Sequence, residues 1–263
     1  MRVRRHEQRD EGRAGHGACH GRGDDLRLRR HLDAPLRLGR RGGPGRGEDR
    51  RRGPGRRGGV QLWEGGPYWA ECNVGATKPE EYGYYFWWGD TVGYARNASN
   101  NGWVSSRTGA SFSFSDGNCP TYGETTARLQ SAGYIDATGN LVAKYDAATA
   151  RLGAPWRMPT DAEFAALINN CTTTWTMRNG VYGRLVTGKG AFSTKSIFLP
   201  AAGYGIDSYL YVPGSGGYYW SCTPDSDSSL SAWSLYFNSG NFGRYHYYRY
   251  SGFPVRPLRG FAK

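Results

Sequence analysis

Eight residue types are missing from the first sixty residues of this 263-residue chain. Residues 1–60 contain no Phe, Trp, Tyr, Ile, Ser, Thr, Asn or Lys and consist mostly of Arg, Gly, Ala, Leu, Pro, His, Asp and Glu. A stretch with so few apolar side chains and no apolar period cannot bury a hydrophobic core. We therefore predict a disordered Arg/Gly-rich segment over residues 1–60 and one globular domain over residues 61–263.

The positive charge of the chain is concentrated in the same segment. Of the net charge of +12, residues 1–60 contribute +10, from eighteen arginines and eight acidic residues, and residues 61–263 contribute +2. One interpretation is a basic arm that binds nucleic acid or an anionic surface. We favour translation from a wrong frame or start site, because the residue types present are those of G- and C-rich codons. No nucleic-acid partner is predicted unless the segment is genuine.

Several signals of transport and cofactor binding are also missing. No run of 18 apolar residues occurs, so we predict no membrane span. Residues 1–30 lack the apolar region of a secretory signal, which a wrong start site would hide. The glycine motifs that bind phosphate and the GxSxG motif of hydrolases do not occur, so no cofactor is predicted.

Cysteines are few and lack metal-binding spacing. No CxxC pair occurs and the spacing matches no zinc site, so no metal is predicted. A disulfide among the four cysteines of the globular domain cannot be assigned from spacing, and we favour thiols that are buried or half-buried. The five cysteines are Cys19, Cys72, Cys119, Cys171 and Cys222.

Two helices are indicated by their end signals. Thr160 with Glu163 three residues later forms a capping-box pattern. Apolar residues then recur at i, i+3, i+4 and i+7, which predicts a helix over Asp161–Cys171. A shorter helix is predicted over Tyr145–Leu152, ended by Gly153.

The rest of the globular domain is expected to consist of short strands and loops. Gly89–Tyr122 is rich in Asn, Ser and Gly and is predicted to be a long loop held by scattered aromatic residues. These features predict an α+β fold with short antiparallel strands, two helices and long loops. Strands are predicted at Gln61–Trp63, Tyr68–Val74, Tyr82–Trp88, Trp175–Met177, Tyr182–Thr187, Ser196–Pro200, Leu210–Pro213, Tyr218–Thr223, Ala232–Phe237 and His246–Leu258.

The last predicted strand and its approach are unusual. Arg244–Tyr250 reads Arg-Tyr-His-Tyr-Tyr-Arg-Tyr, so both faces carry Tyr, His or Arg instead of alternating apolar and polar residues. Tyr and Arg are enriched among the residues that dominate binding energy at interfaces. The alternative is an ordinary aromatic-rich strand, because Tyr has high β-propensity. His246 has no accompanying acid or nucleophile motif, so we interpret it as a contact residue and not as a general base.

Eight segments of the globular domain together resemble one family. They are Cys72–Ala76, Tyr85–Asp90, Tyr145–Ala150, Trp156–Thr160, Ile197–Gly203, Tyr219–Ser221, Leu235–Asn238 and Gly252–Pro257. In this order they resemble the Fibrobacter succinogenes major paralogous domain. The resemblance implies a C-type-lectin-like fold, related to the formylglycine-generating enzyme group, in surface or secreted bacterial proteins. It also implies that Phe198–Gly203 is a buried strand with its turn, and that Phe253–Pro257 is a closing strand with Arg256 buried against a carbonyl or acid.

A second resemblance concerns the variable proteins of diversity-generating retroelements. In these relatives of the fold, adenines of a C-terminal coding segment are mutated, and AAC codons scatter among Tyr, His, Asp, Ser, Gly, Arg and Phe. Residues 241–250 are Asn or such products, apart from Arg249, which we take as an unmutated codon. The resemblance implies a diversified binding surface on a constant scaffold.

These observations predict a non-enzymatic, adhesin- or receptor-like module that binds a protein or surface ligand at the cell surface or outside the cell. The Asp225–Ser229 loop would lie at the edge of its binding face. One alternative is a formylglycine-generating-enzyme-like oxidase that uses Cys222, although no second cysteine lies nearby in sequence. Another is an undiversified structural surface domain. The candidate ligand-binding residues are Ser228, Ser234, Tyr236, Phe242, Arg244, Tyr245, His246, Tyr247, Tyr248 and Tyr250.

Overall fold

The computed structural model describes residues 58–260. The segment 1–60 that we predict to be disordered lies outside the described residues except for its last three positions. Strands of two to eight residues make up most of the regular structure. The fifteen strands of this range are β1 (Val60–Gln61), β2 (Tyr68–Trp69), β3 (Tyr94–Arg96), β4 (Trp103–Ser105), β5 (Ser111–Phe112), β6 (Trp156–Arg157), β7 (Cys171–Arg178), β8 (Val181–Gly188), β9 (Ser196–Pro200), β10 (Tyr204–Ile206), β11 (Tyr209–Tyr211), β12 (Gly217–Pro224), β13 (Ser231–Phe237), β14 (Phe242–Tyr248) and β15 (Leu258–Arg259).

Three α-helices interrupt the strands within residues 58–260. They are α1 (Thr126–Ser131), α2 (Ala147–Leu152) and α3 (Asp161–Asn170). The predicted capping box of α3 is confirmed, since the Thr160 hydroxyl accepts a hydrogen bond from the backbone N–H of Glu163 and the Glu163 carboxylate accepts one from the N–H of Thr160. Helix α3 ends where Cys171 adopts an extended backbone and begins β7.

The strands form five small sheets, and every strand pair in them is antiparallel. The sheet β12-β13-β14 is called the C-terminal sheet, and β14 is one of its edge strands. The other four sheets have the orders β1-β2-β15-β6, β3-β4-β5, β7-β8-β9 and β10-β11.

The expected α+β, C-type-lectin-like fold with two helices and long loops is wrong. Residues 58–260 are predominantly β, with five small antiparallel sheets and three short helices. The largest error concerns Gly89–Tyr122, which contains β3, β4 and β5 instead of one long loop. Tyr94 stacks on Phe112 with 3.6 Å between ring centroids, and Trp103 meets Phe114 edge to face at 5.0 Å. These rings bury enough apolar area to hold a small sheet despite the polar sequence around them.

Two predicted strands also differ from the structure. Tyr82–Trp88 forms only isolated bridges, because Tyr85 pairs with Tyr94 of β3 while the next residue, Phe86, pairs with Phe253 of a different segment. The predicted strand His246–Leu258 is divided, since β14 ends at Tyr248 and the chain re-enters a sheet only at β15. Local alternation could not show this division, because the residues around the break are as aromatic as the strand itself.

Core packing fixes the position of the C-terminal sheet. Leu235 and Phe237 of β13 are fully buried in one cluster with Phe164 of α3. Trp220 of β12 is buried in a second cluster, where it stacks on Phe253 with 4.1 Å between ring centroids. Full burial of an apolar side chain contributes about 1.5–3 kcal/mol, so the sheet is held firmly by both clusters.

Arg256 is buried, which confirms the burial implied by the family resemblance. Its guanidinium donates to the side-chain oxygen of Asn73 (2.8 Å) and to three backbone carbonyls (2.7–3.1 Å). Burial lowers the pKa of this group. The carbonyls of Ala70, Glu71 and Phe198 therefore find their hydrogen-bond donor in one side chain.

The helices of residues 58–260 are too short or too polar to cross a membrane. Within the same range no disulfide bond is present, and the thiols of Cys119, Cys171 and Cys222 are buried.

Trp88 is also fully buried and donates its indole N–H to the carbonyl of Ser221 at 3.0 Å, so this residue is part of the core.

Candidate functional site

The C-terminal sheet has two sides of different character. Tyr219 and Arg244 lie opposite Leu235 in the register of the strands. Tyr218 lies opposite Tyr236. Because side chains alternate along a strand and cross-strand partners share a side, these two sets point in opposite directions. The side that carries Leu235 packs on α3 and is called the helix side; the other is called the tyrosine side.

Seven tyrosines form a continuous series of ring contacts on and beside the tyrosine side. Tyr204 contacts Tyr218 with 4.7 Å between ring centroids and Tyr247 with 5.4 Å. Tyr236 lies 4.8 Å from Tyr218 and 5.2 Å from Tyr245. The hairpin β10-β11 supplies the remaining members through Tyr204. This tyrosine network consists of Tyr204, Tyr209, Tyr211, Tyr218, Tyr236, Tyr245 and Tyr247.

A glycine brings the hairpin to the C-terminal sheet. Gly203 forms a bridge to Gly217 at the start of β12 and has a φ of 65°. A Cβ at Gly203 would lie 2.1 Å from the carbonyl oxygen of Tyr211. Only glycine therefore fits this turn. The preceding β9 is buried at Phe198, so the buried strand and turn that the family resemblance implies over Phe198–Gly203 are confirmed.

Two cavities open beside the edge strand β14, and they share His246 and Tyr247. The smaller has a volume of about 140 Å³ and is walled by aromatic side chains; the larger has a volume of about 510 Å³. The smaller is lined by Tyr218, Tyr236, Tyr245, His246 and Tyr247. The larger is lined by Ile206, Ser228, Leu230, Ser231, His246, Tyr247, Tyr248 and Tyr250.

The phenols at the centre of the tyrosine network stay protonated. Burial, with the neighbouring phenols Tyr236 and Tyr204, raises the pKa of Tyr218 well above its usual range. Burial and a hydrogen bond with Tyr204 do the same for the pKa of Tyr247. These groups therefore present neutral hydroxyls, which both donate and accept hydrogen bonds.

Charged groups lie at the rim of the site. Arg244 forms an ion pair with Asp161 at the start of α3, and its guanidinium lies 5.7 Å from the ring centroid of Trp233. His246 Nδ1 lies 2.9 Å from Oδ2 of Asp225, whose side chain is almost completely buried. Burial raises the pKa of Asp161, and Arg244 partly offsets this effect. Each basic group at the rim thus has an acidic partner within the protein.

Seven of the ten predicted site residues line the two cavities. They come from β13, β14 and the loops on either side. In the strand register Tyr236, Tyr245 and Tyr247 belong to the tyrosine side. His246, opposite Trp233, and Tyr248, opposite Ser231, belong to the helix side, so the cavities are lined from both sides of the edge strand. At one end Tyr248 stacks on Tyr250 with 5.5 Å between ring centroids, and Tyr122 packs edge-on against both rings. The seven residues are Ser228, Tyr236, Tyr245, His246, Tyr247, Tyr248 and Tyr250.

The other three predicted residues do not face the cavities. Ser234 is fully buried, and its hydroxyl donates to the carbonyl of Tyr245 at 2.8 Å. Phe242 packs on Phe237 on the helix side, with 5.9 Å between ring centroids. Arg244 is also on the helix side, where it is paired with an acid. Strand period alone could have separated Phe242 and Arg244 from Tyr245 had the start of β14 been known.

Sequence reasoning missed the tyrosines that come from outside β13 and β14. Tyr209 and Tyr211 alternate in β11, directly after a two-residue turn at Asp207 and Ser208, and Asp207 has a φ of 50°. That pattern is a hairpin signal. The association of Tyr204 with Tyr218 depends on the tertiary bridge at Gly203, for which the local sequence carries no signal.

Cys222 does not have the environment of a reactive thiol. Its side chain is buried, and its nearest hydrogen-bond contact is Oδ1 of Asn140 at 3.6 Å. Burial and the nearby Asp146 carboxylate raise the pKa of the Cys222 thiol well above its usual range, although Arg157 acts in the opposite direction. The nucleophilic form of cysteine is the thiolate, and the surroundings of Cys222 disfavour the thiolate.

Within residues 58–260 no group of His, Cys, Asp and Glu side chains is placed to hold a metal ion.

One comparison with known proteins matches part of the chain. The model of a family described as a domain of unknown function, DUF8237, matches residues 188–258, a stretch that includes β9 to β14 and therefore the whole C-terminal sheet. No curated protein and no solved structure matches the chain. The description of the family assigns no activity, so the function is argued from the geometry of the site.

Proposed function

We propose that the chain is a non-enzymatic ligand-binding module whose contact surface is the tyrosine network with its two adjoining cavities. Its ligand is a protein or another surface-exposed partner, encountered at the cell surface or outside the cell. The observation that carries the proposal is the exposure of large aromatic rings on an edge strand. Tyr245 and Tyr248 are 47% and 46% exposed, although Tyr247 and Arg249 of the same segment pack into the core.

The physical basis of binding is the pre-formed position of these rings. Tyrosine offers a large contact area at low entropic cost, since it has two side-chain torsions. The ring contacts within the tyrosine network restrict these torsions further before a ligand arrives. A single anchoring tyrosine at an interface contributes about 2 kcal/mol or more when truncated to alanine, so two or three such rings would contribute about 4–6 kcal/mol, the binding free energy of a millimolar to tens-of-micromolar complex.

The oxidase alternative has less support. It requires a reactive Cys222, but this thiol is buried, and burial favours its protonated form. His246 is exposed and is paired with Asp225. Within residues 58–260 no serine, threonine or cysteine side chain forms a hydrogen bond with its imidazole. The arrangement therefore lacks the nucleophile and base pair of covalent catalysis.

We also propose that the tyrosine-rich strand is a diversified segment. Its exposed positions are Asn or adenine-mutation products of Asn, as expected for a varied surface. Arg249, which we set aside as an unmutated codon, is fully buried and bonded to backbone carbonyls. The nucleotide sequence of the locus tests this proposal. A flanking imperfect repeat that differs only at adenines, beside a reverse transcriptase gene, is the expected result, and a locus with neither would overturn diversification.

Binding is tested with the full chain and three single variants. Tyr245→Ala and Tyr248→Ala remove exposed rings of the proposed surface. Tyr182→Ala is the matched control, because Tyr182 is 44% exposed on β8 and lies outside both cavities. Ligands are first selected with the wild-type chain from intact cells and from arrays of surface proteins and glycans.

The affinity of each selected ligand is then measured by surface plasmon resonance. We expect each site variant to weaken binding at least tenfold, which corresponds to about 1.4 kcal/mol, while Tyr182→Ala leaves it unchanged. Equal affinities for all four proteins would place binding elsewhere and refute the proposed surface. Turnover of any selected ligand that depends on Cys222 would favour the oxidase instead.

A further inference from the structure

The smaller cavity has an unusual lining that points to one class of chemical group. Four tyrosines and one histidine form its walls, and no lysine, arginine, carboxylate or carboxamide side chain contributes to them. Sugars and peptides present several hydroxyl and amide groups, which usually pair with charged or carboxamide side chains as well as with hydroxyls. A ligand group without N–H or O–H donors suits these walls better.

The rings are also arranged as a box. Tyr236 and Tyr245 meet at an interplanar angle of 90°, and Tyr218 and Tyr247 meet at 74°. Rings set at right angles present both faces and edges, so at least part of the wall carries the negative face of an aromatic ring. A cation held against several such faces is attracted by the ring quadrupoles, most strongly when it is partly desolvated.

The basic groups near this box already have acidic partners. His246 lines the cavity from the edge strand, but it lies opposite Trp233 on the helix side and is paired with Asp225 at 2.9 Å. Arg244 belongs to the same side and is paired with Asp161. The lining therefore supplies no unpaired positive group that would bind a phosphate or carboxylate.

We propose that the smaller cavity is an aromatic cage for a quaternary trimethylammonium group. This inference rests on the proposed binding function and names the chemistry that one part of the surface recognises. A trimethylammonium group carries positive charge and has no hydrogen-bond donor, so it matches both the ring faces and the apolar lining. The volume of about 140 Å³ accommodates a group of this size. The larger cavity, across His246 and Tyr247, receives the chain that carries the group.

Two kinds of ligand carry a trimethylammonium group and can be distinguished by the rest of the molecule. One is a free small molecule such as choline or betaine; the other is a trimethylated lysine side chain of a partner protein. Betaine and phosphocholine carry an anionic group for which the lining offers no basic partner. We therefore expect choline and Nε-trimethyllysine peptides to bind more tightly than phosphocholine and betaine.

The test measures binding of tetramethylammonium chloride and choline to the full chain by calorimetry at constant ionic strength. The matched probe is 3,3-dimethylbutan-1-ol, which has the shape of choline but no charge. We expect choline to bind at least fivefold more tightly than this neutral isostere. Equal affinity for the two would show burial of an apolar group only, and no binding of either cation would overturn the cage.

Ring chemistry is tested at Tyr245, because this half-exposed residue contributes little to the core. Tyr245→Phe keeps the aromatic face and should retain choline affinity within about twofold, whereas Tyr245→Leu should weaken it about tenfold. Tyr182→Leu is the control and should have no effect, because Tyr182 is 44% exposed on β8 and lies outside the tyrosine network and both cavities. If Tyr245→Leu binds choline as well as wild type does, the cage is refuted.

The two proposals fail separately. If the quaternary ammonium probes do not bind but the ligands selected with the wild-type chain still lose affinity in Tyr245→Ala, the binding surface stands and only its chemical assignment is wrong. If the quaternary ammonium probes do not bind and Tyr245→Ala also leaves the affinity of the selected ligands unchanged, the proposed binding surface itself is refuted.

Discussion

The two sides of the C-terminal sheet use the same three strands for different purposes. On the helix side, Leu235 and Phe237 are fully buried under α3. On the tyrosine side, rings contact one another, and the outermost, Tyr245, remains about half exposed. The helix side contributes stability through its cover by α3. The tyrosine side is anchored at Trp220, which is buried against Phe253, and binding is proposed toward the edge strand, where its rings cover only each other. Variants that separate the two properties test this difference.

The largest expected effect is on stability from the helix side. Leu235→Ala removes a fully buried side chain, and large-to-small changes of this type cost about 2–5 kcal/mol of the free energy of unfolding. Tyr236→Leu on the opposite side keeps an apolar side chain at a half-buried position and should cost less than half as much. Urea denaturation followed by tryptophan fluorescence measures both. A larger loss for Tyr236→Leu would contradict the assignment of stability to the helix side.

A smaller effect distinguishes two arginines five positions apart. Arg249 donates four hydrogen bonds to the carbonyls of Thr121, Glu124, Ser228 and Ser231, at 2.8–3.3 Å. A lysine lacks the planar fork that reaches several carbonyls at once, so Arg249→Lys should cost about 2 kcal/mol through unsatisfied buried groups.

The matched change at the rim is Arg244→Lys. Arg244 forms a partly exposed ion pair, and such pairs contribute about 0–1 kcal/mol. The two variants are compared by thermal unfolding at the same pH and salt concentration. Equal decreases in Tm for both variants would mean that the buried Arg249 contributes no more to stability than the exposed Arg244, which would contradict its role as an anchor of β14.

The smallest expected effect is a pH dependence at the rim. Burial raises the pKa of Asp161 in the folded protein, and Arg244 limits the increase. A raised folded pKa means that the folded state holds the proton more tightly, so this group stabilises the protein at low pH and loses that contribution as pH rises through the folded value. Arg244→Met should therefore steepen the decrease in stability above pH 4, measured by urea denaturation from pH 4 to pH 7. An unchanged slope would show that Arg244 does not affect the carboxyl.

The sequence predicted best those elements whose ends are marked by a local residue pattern, such as a helix cap. Helix α3 follows from Thr160 and Glu163, because a capping box is complete within four residues. The predicted strand Ala232–Phe237 corresponds to β13. Arg256 was also placed correctly, through the resemblance and not through any local pattern.

The features that the sequence did not reveal depend on contacts between distant segments. The sheet of β3, β4 and β5 is held by aromatic residues scattered through a polar stretch, and their spacing has no strand period. The tyrosine network needs the hairpin β10-β11 to meet β12, a contact made at Gly203. The predicted set of site residues therefore contained most of β14 and lacked the hairpin half of the surface.

The burial of Arg249 has a consequence for how much sequence change the surface tolerates. Its guanidinium and backbone join the end of β14 to the 121–124 and 228–231 segments, and Trp88 donates its backbone N–H to the carbonyl of Arg249 at 2.8 Å. Arg249 therefore holds this end of the strand in addition to the backbone pairing of β13 with β14. Under the proposed binding function, substitutions at the exposed positions before it would change the contact chemistry while the scaffold beneath keeps the same fold.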